Sequence, residues 1–156
     1  MNILFLIGNG FDLNLGMKTR YQNFNKFYSS RKSSNKLVQS LKNNIDSNFE
    51  NWSDLEKELG KYTKNLKTSA EFIVVFEDLE DMLAEYLKDV EDKFEFNKIE
   101  GKKLFNFLVY PENSLTTADK NLVTVFRQKL SNTQWNIFLL TFNYTKSLEK
   151  LLNYDG

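Results

Sequence analysis

Ile3-Leu4-Phe5-Leu6-Ile7-Gly8-Asn9-Gly10-Phe11-Asp12 stands at the start of the chain and decides its fold. A continuous apolar run of this length, closed by a glycine, suits a strand buried on both faces, the usual condition of a strand in a parallel sheet. A glycine loop directly after the first strand is how many nucleotide-binding α/β folds begin. Glycines let the backbone turn sharply and come close to a ligand. A helix starting just beyond offers unpaired N–H groups and partial positive charge to a phosphate. Asp12 is placed to cap that helix or to reach a ribose hydroxyl. The loop is neither of the two common phosphate fingerprints. Leu13 stands where a G-x-G-x-x-G loop has its last glycine, and no G-K-[ST] follows. The alternative is a tight strand-to-helix turn that holds nothing, and the spacing leaves both open.

The second strand lies at the far end of the chain. Asn136-Ile137-Phe138-Leu139-Leu140-Thr141-Phe142 is another apolar run. Asn143-Tyr144-Thr145 then opens a short last helix carrying Leu148, Leu151 and Leu152, and the chain stops at Gly156. Ligands of parallel α/β sheets gather at the carboxyl ends of the strands. If the two strands are parallel, Gly8, Asn9 and Gly10 share that end with Thr141, Asn143 and Thr145. Polar groups there are costly if buried and unpaired. Asn143 offers an amide donor and acceptor, and the two threonines offer hydroxyls. The plainer alternative makes Thr145 a helix N-cap and Asn143 an ordinary turn residue.

Between the strands the periodicity is helical. Tyr21, Phe24, Phe27 and Tyr28 mark one apolar face, and Leu37, Leu41 and Ile45 a second. Ser53-Asp54-Leu55-Glu56 reads as a capping box, with Ser53 as cap and Glu56 bonding back. Leu55, Leu59, Tyr62 and Leu66 follow on one face. A long amphipathic segment runs from about Ala70 to Phe96, with its stripe on Phe72, Phe76, Leu79, Leu83, Tyr86, Leu87, Val90 and Phe94. Lys103 to Val109 is too short to assign between helix and strand. Pro111 breaks the chain, and Thr116-Thr117-Ala118-Asp119 starts a helix with Leu122, Val123, Phe126 and Leu130 on one face. A polar turn is expected at Ser131-Asn132-Thr133-Gln134. Trp52 reads as core and the acidic stretch Glu77 to Asp81 as a solvated helix face. Lys18 and Arg20, just past the glycine loop, are candidates to meet phosphates.

The expected fold is therefore a single α/β domain over residues 1–156. It is helix-rich, with a Rossmann-like parallel sheet and a long helical insertion at about 20–130, between strand 1 and the strand ending at Asn143. Two strands do not make a stable sheet. The sheet is expected to be incomplete in this chain, as the N-terminal part of a longer fold or one that leans on a partner.

Composition narrows the chemistry. Lys plus Arg and Asp plus Glu number 21 each, so there is no global pull towards nucleic acid or an anionic membrane. The chain has no Cys and no His, which excludes thiolate chemistry, disulfides and imidazole acid–base catalysis. Carboxylates, Lys, Tyr, hydroxyls and amides remain. No resident metal is expected. With no basic leader and no apolar stretch near the roughly 20 residues of a membrane helix, the expected location is the cytoplasm.

Three stretches carry a family resemblance: the opening from Ile3 to Leu13 with Gly16, Thr19, Tyr21 and Phe24; Trp52-Ser53-Asp54-Leu55-Glu56; and Leu140-Thr141-Phe142-Asn143-Tyr144-Thr145. In this order they resemble the AbiH family of bacterial abortive-infection proteins, which limit phage by harming the infected cell. A more distant resemblance links the Gly-x-Gly loop and the Thr-x-Asn-Tyr strand end to the sirtuin-like NADases of antiviral systems. It implies Gly8, Asn9 and Gly10 around a pyrophosphate, with Phe11 in the same loop, and Asp12 supporting the loop or the ribose. It also implies Asn143 as the catalytic residue beside the nicotinamide ribose, flanked by Thr141 and Thr145. The sirtuin-like enzymes use a His base that this chain lacks. The implied ligand is NAD or another nucleotide, and the implied activity is NAD hydrolysis. The alternative is a non-catalytic nucleotide-sensing or protein-interaction module, as a homo-oligomer or on a phage or host protein.

Overall fold

β1 (Asn2–Ile7) and β2 (Asn136–Thr141) pair in parallel in the computed structural model, which describes residues 2–130 and 134–153. The register runs from Asn2 opposite Asn136 to Ile7 opposite Thr141. Between the strands lie seven helices, among the described residues: α1 (Gly10–Asn14), α2 (Tyr21–Ser30), α3 (Lys36–Ser47), α4 (Leu55–Tyr62), α5 (Ser69–Asp92), α6 (Gly101–Val109) and α7 (Thr117–Lys129). α8 (Ser147–Leu151) follows β2. The architecture is a helix-rich α/β arrangement with a small parallel sheet, in two compact units: residues 1–10 with 95–156, and residues 11–94.

The helical unit is built from the apolar faces that the three- and four-residue spacings anticipate. Phe24 and Tyr28 of α2, Leu41 and Ile45 of α3, Leu55, Leu59 and Tyr62 of α4 and Leu79, Tyr86 and Leu87 of α5 form one buried cluster around Trp52. Each aliphatic side chain fully buried in this way stabilises by roughly 1.5–3 kcal/mol. Asn35 caps α3 by accepting from the Leu37 N–H at 2.9 Å, and Thr68 caps α5 by accepting from Glu71 N–H at 3.2 Å. Two expectations are corrected here. The cap of α4 is Asp54, accepting from the Lys57 N–H at 3.1 Å, and not Ser53. Ser53 belongs to a single 3-10 turn, and Glu56 instead accepts from the Tyr21 hydroxyl at 2.9 Å. On α5 the fully buried position is Val75 (0% exposed), whereas Phe76 is 40% exposed and stacks on Phe72. A stripe of large aromatics is a poor guide to helix phase when a β-branched neighbour fits the core better.

In the sheet unit the strands alternate rather than hiding both faces. Leu4 and Leu6 are 59% and 65% exposed, and Phe138 and Leu140 share their face and are also exposed. Ile3, Phe5 and Ile7 are half-buried, with the Phe5 ring 6.3 Å from that of Phe107 on α6. A strand needs cover on two sides to be buried on both, and only one face of this pair is covered. The segment 103–109 is helical, with α6 running over Gly101–Val109. Thr116 caps α7, accepting from the Asp119 N–H, but the stripe expected to be core there lies largely in the open, with Leu122 and Phe126 exposed. α7 is tied down at its polar end: Arg127 lies 3.0 Å from the buried Glu112 carboxylate and donates to the Val109 carbonyl at 2.7 Å. Residues 131–133 of the expected turn, and 154–156, lie outside the described residues. No helix among the described residues is long and apolar enough to cross a membrane.

Candidate functional site

The two strand ends are locked together one step beyond the ladder. The Phe142 N–H donates to the Ile7 carbonyl at 2.8 Å. Gly8 follows Ile7 and Asn143 follows Phe142, so the glycine loop and the polar strand end lie side by side at the carboxyl edge of the sheet. Gly8, Asn9, Gly10, Thr141, Asn143 and Thr145 all belong to the sheet unit. Phe11 and Asp12 belong to the helical unit, where Phe11 is half-buried and Asp12 is 1% exposed within α1.

The loop does not use its glycines as a turn would. Among the described residues only Gly16 has a left-handed glycine conformation, at φ +90°, where it ends α1. A Cβ added to Gly8 or Gly10 would meet nothing within 4 Å. Neither the backbone nor a close neighbour therefore demands glycine at either position. α1 has five residues, too short to present the field of a long helix.

Beyond β2 the side chains are held differently from one another. The Thr141 hydroxyl accepts from the Asn143 N–H at 3.1 Å, a local bond that fixes the backbone after the strand. The Asn143 amide gains nothing from this. Its Nδ2 and Oδ1 are both buried, and neither has a hydrogen-bond partner among the described residues. Each such group costs roughly 1–3 kcal/mol of desolvation. A turn asparagine commonly spends its side chain on nearby backbone, a bond the Asn143 amide does not make here. Thr145 is buried and donates to the Ser147 hydroxyl at 3.2 Å. It is not the N-cap of α8: that place falls to Lys146, whose side chain makes no capping bond.

Two polar residues were not anticipated. Ser147 is fully buried at the start of α8. Glu149 is half-buried, and its Oε2 is closed off from solvent with no hydrogen-bond partner among the described residues. The signal for Glu149 lay in the helical spacing, which places it three residues before Leu152 and so on the side of an apolar position.

Other candidates fall elsewhere. Trp52 is core, its indole N–H donating to Asn44 at 3.1 Å. Lys18 and Arg20 are exposed, and the Lys18 carbonyl accepts from the Tyr86 hydroxyl at 2.8 Å. Asp78 is not a solvated acid: the Tyr28 hydroxyl donates to it at 2.8 Å, and the buried Lys42 ammonium lies 3.9 Å from it and 4.4 Å from the centre of the Tyr28 ring. Burial, the bond to Asp78 and the charge on Asp78 all hold the Tyr28 phenol neutral far above its ordinary range. Burial raises Tyr62 and Tyr86 in the same sense, with the Asp89 charge adding to Tyr86. No group of three or more potential metal-ligating side chains occurs among the described residues.

No curated protein and no solved structure matches the chain. A match does come from the family described as bacteriophage abortive infection AbiH, over residues 4–156, which takes in the glycine loop, the helical unit and the polar strand end. With nearly its whole length accounted for in this way, the chain belongs to the AbiH family.

Proposed function

We propose that this AbiH protein acts against phage by binding a nucleotide at the shared carboxyl end of β1 and β2, and that the nucleotide is NAD, which it hydrolyses. The observation that carries this is the Asn143 amide, buried with both polar atoms unpartnered beside a loop whose two glycines have open space around them. A ligand with hydroxyls satisfies the amide, and a diphosphate lying against the backbone accounts for the missing side chains at Gly8 and Gly10. Gly8, Asn9 and Gly10 would hold the diphosphate, with Phe11 next in the chain and Asp12 supporting the loop or the ribose. Asn143, between Thr141 and Thr145, would hold the ribose and the attacking water. The parallel pair would form part of a Rossmann-like sheet, in a protein of the cytoplasm.

In that reaction the bond between ribose C1′ and the nicotinamide nitrogen breaks, and its electron pair stays with nicotinamide. The water oxygen bonds to C1′, and the proton it sheds passes to a carboxylate of this chain or to a partner, since the chain has no His.

Melting of the purified chain with and without millimolar NAD, ADP-ribose and ATP tests binding. A ligand at a hundred times its dissociation constant adds about 2.7 kcal/mol, roughly 5–11 °C for a domain of this size. Nicotinamide release tests turnover. Asn143→Ala is expected to keep most of the binding and to lose turnover by about a hundredfold or more. Equal turnover in the variant and the wild type would remove Asn143 from the chemistry. The absence of His favours a second reading, in which the same site senses a nucleotide without cleaving it and the protein works through a homo-oligomer or a phage or host protein. Saturable binding with no product would select it.

A further inference from the structure

Two side chains in the connection from β2 through α8 carry buried polar atoms to which no described residue bonds: the Asn143 amide and Oε2 of Glu149. Both lie in the sheet unit. Between them Thr145 and Ser147 are buried and bonded to each other, while Tyr144 and Lys146 are exposed. A carboxylate oxygen is acceptor-only and needs a donor. No described residue supplies one to this oxygen.

We propose that Glu149 is a ligand-binding residue of the same site, and that its carboxylate accepts a hydroxyl of the ribose that Asn143 holds. The inference rests on the nucleotide reading and adds to it the group that recognises the sugar. Adjacent ribose hydroxyls present two donors and two acceptors close together. A carboxylate can take one donor, and an amide can both give and accept at the other. A phosphate fits this pair poorly, because its oxygens are acceptors that the carboxylate would repel. The pair therefore selects the sugar end of a dinucleotide, while the glycine loop takes the diphosphate.

Calorimetric titration of the full chain with ADP-ribose and with ADP separates the two ends, because only ADP-ribose carries the second ribose. Wild type is expected to prefer ADP-ribose by about tenfold or more, the worth of one charge-assisted hydrogen bond. Glu149→Gln is expected to lose most of that preference while binding ADP as wild type does, with Glu149→Ala losing all of it. The melting temperature of each free variant checks folding. A preference unchanged in both variants overturns the assignment of Glu149 and leaves nucleotide binding intact. So does a preference retained with nicotinamide release abolished, which would make Glu149 a proton acceptor only. If the variants do not fold, a wild-type preference under twofold overturns it alone. Binding of neither compound by wild type overturns the nucleotide reading and this inference together.

Discussion

Gly8 and Gly10 each have room for a methyl group they do not carry. Alanine at either position is expected to leave the free protein as stable as before, or more stable by about 0.4–1 kcal/mol, because a glycine is costly to order on folding. ADP-ribose affinity is expected to fall by roughly tenfold or more, because the methyl enters the space a diphosphate would fill. Melting curves and titration read the two effects separately, and unchanged affinity would reduce the loop to a turn. Gly16 behaves in the opposite way, since its φ of +90° strains any side chain placed there. At this scale the residues that make up the candidate site were legible, because a glycine loop and an amide at strand ends are local patterns. What was not legible is which polar atoms lack a partner. Glu149 looks like any helix acid until burial closes its oxygen off.

α8 is seated against the start of α6 through a backbone contact. A Cβ on Gly101 would stand 2.3 Å from the Leu151 carbonyl oxygen, and backbone, unlike a side chain, cannot swing aside. Gly101→Ala is expected to destabilise the protein by about 1–3 kcal/mol, read as a lower urea midpoint with an unchanged slope. An unchanged midpoint would mean that α8 is free to shift. The elements themselves were largely legible: Leu41 and Ile45 of α3, Leu55 and Leu59 of α4 and the Thr116 cap of α7 follow from spacing and hydrogen-bonding chemistry. Failures came where two local signals competed. Ser53 and Asp54 are both good caps, and Asp54 took the place because the turn before it kept Ser53 outside the helix. The run 103–109 fits a helix or a strand equally well, and tertiary packing chose the helix. Leu4 and Leu6 read as core because apolar content says nothing about how many layers cover a sheet.

The two units carry one tryptophan each, buried Trp52 in the helical unit and half-buried Trp135 in the sheet unit, so their fates can be followed apart. Tyr28, Tyr62 and Tyr86, all in the helical unit, hold their protons more tightly folded than at the ordinary value of 10.0. Above pH 10 the unfolded chain sheds protons that the folded one keeps. The stability these groups give is therefore complete below that pH and is lost as pH rises through it. Tyr28 alone is expected to remove about 2 kcal/mol between pH 9 and 11.5. In a Trp135→Phe protein, Trp52 fluorescence should show the urea midpoint falling over that interval, with a smaller fall in Tyr28→Phe. A flat midpoint would contradict the burial of these phenols. The pairing of Asn2 with Asn136, 134 residues apart, also has a consequence in time. At roughly 5–20 residues per second, β2 is synthesised roughly 7–27 s after β1. The helical unit is completed in that interval, while the first strand waits with both edges bare, a template for any neighbouring nascent chain. Translation speed, rather than equilibrium stability, sets how long each new molecule stays open to mispairing.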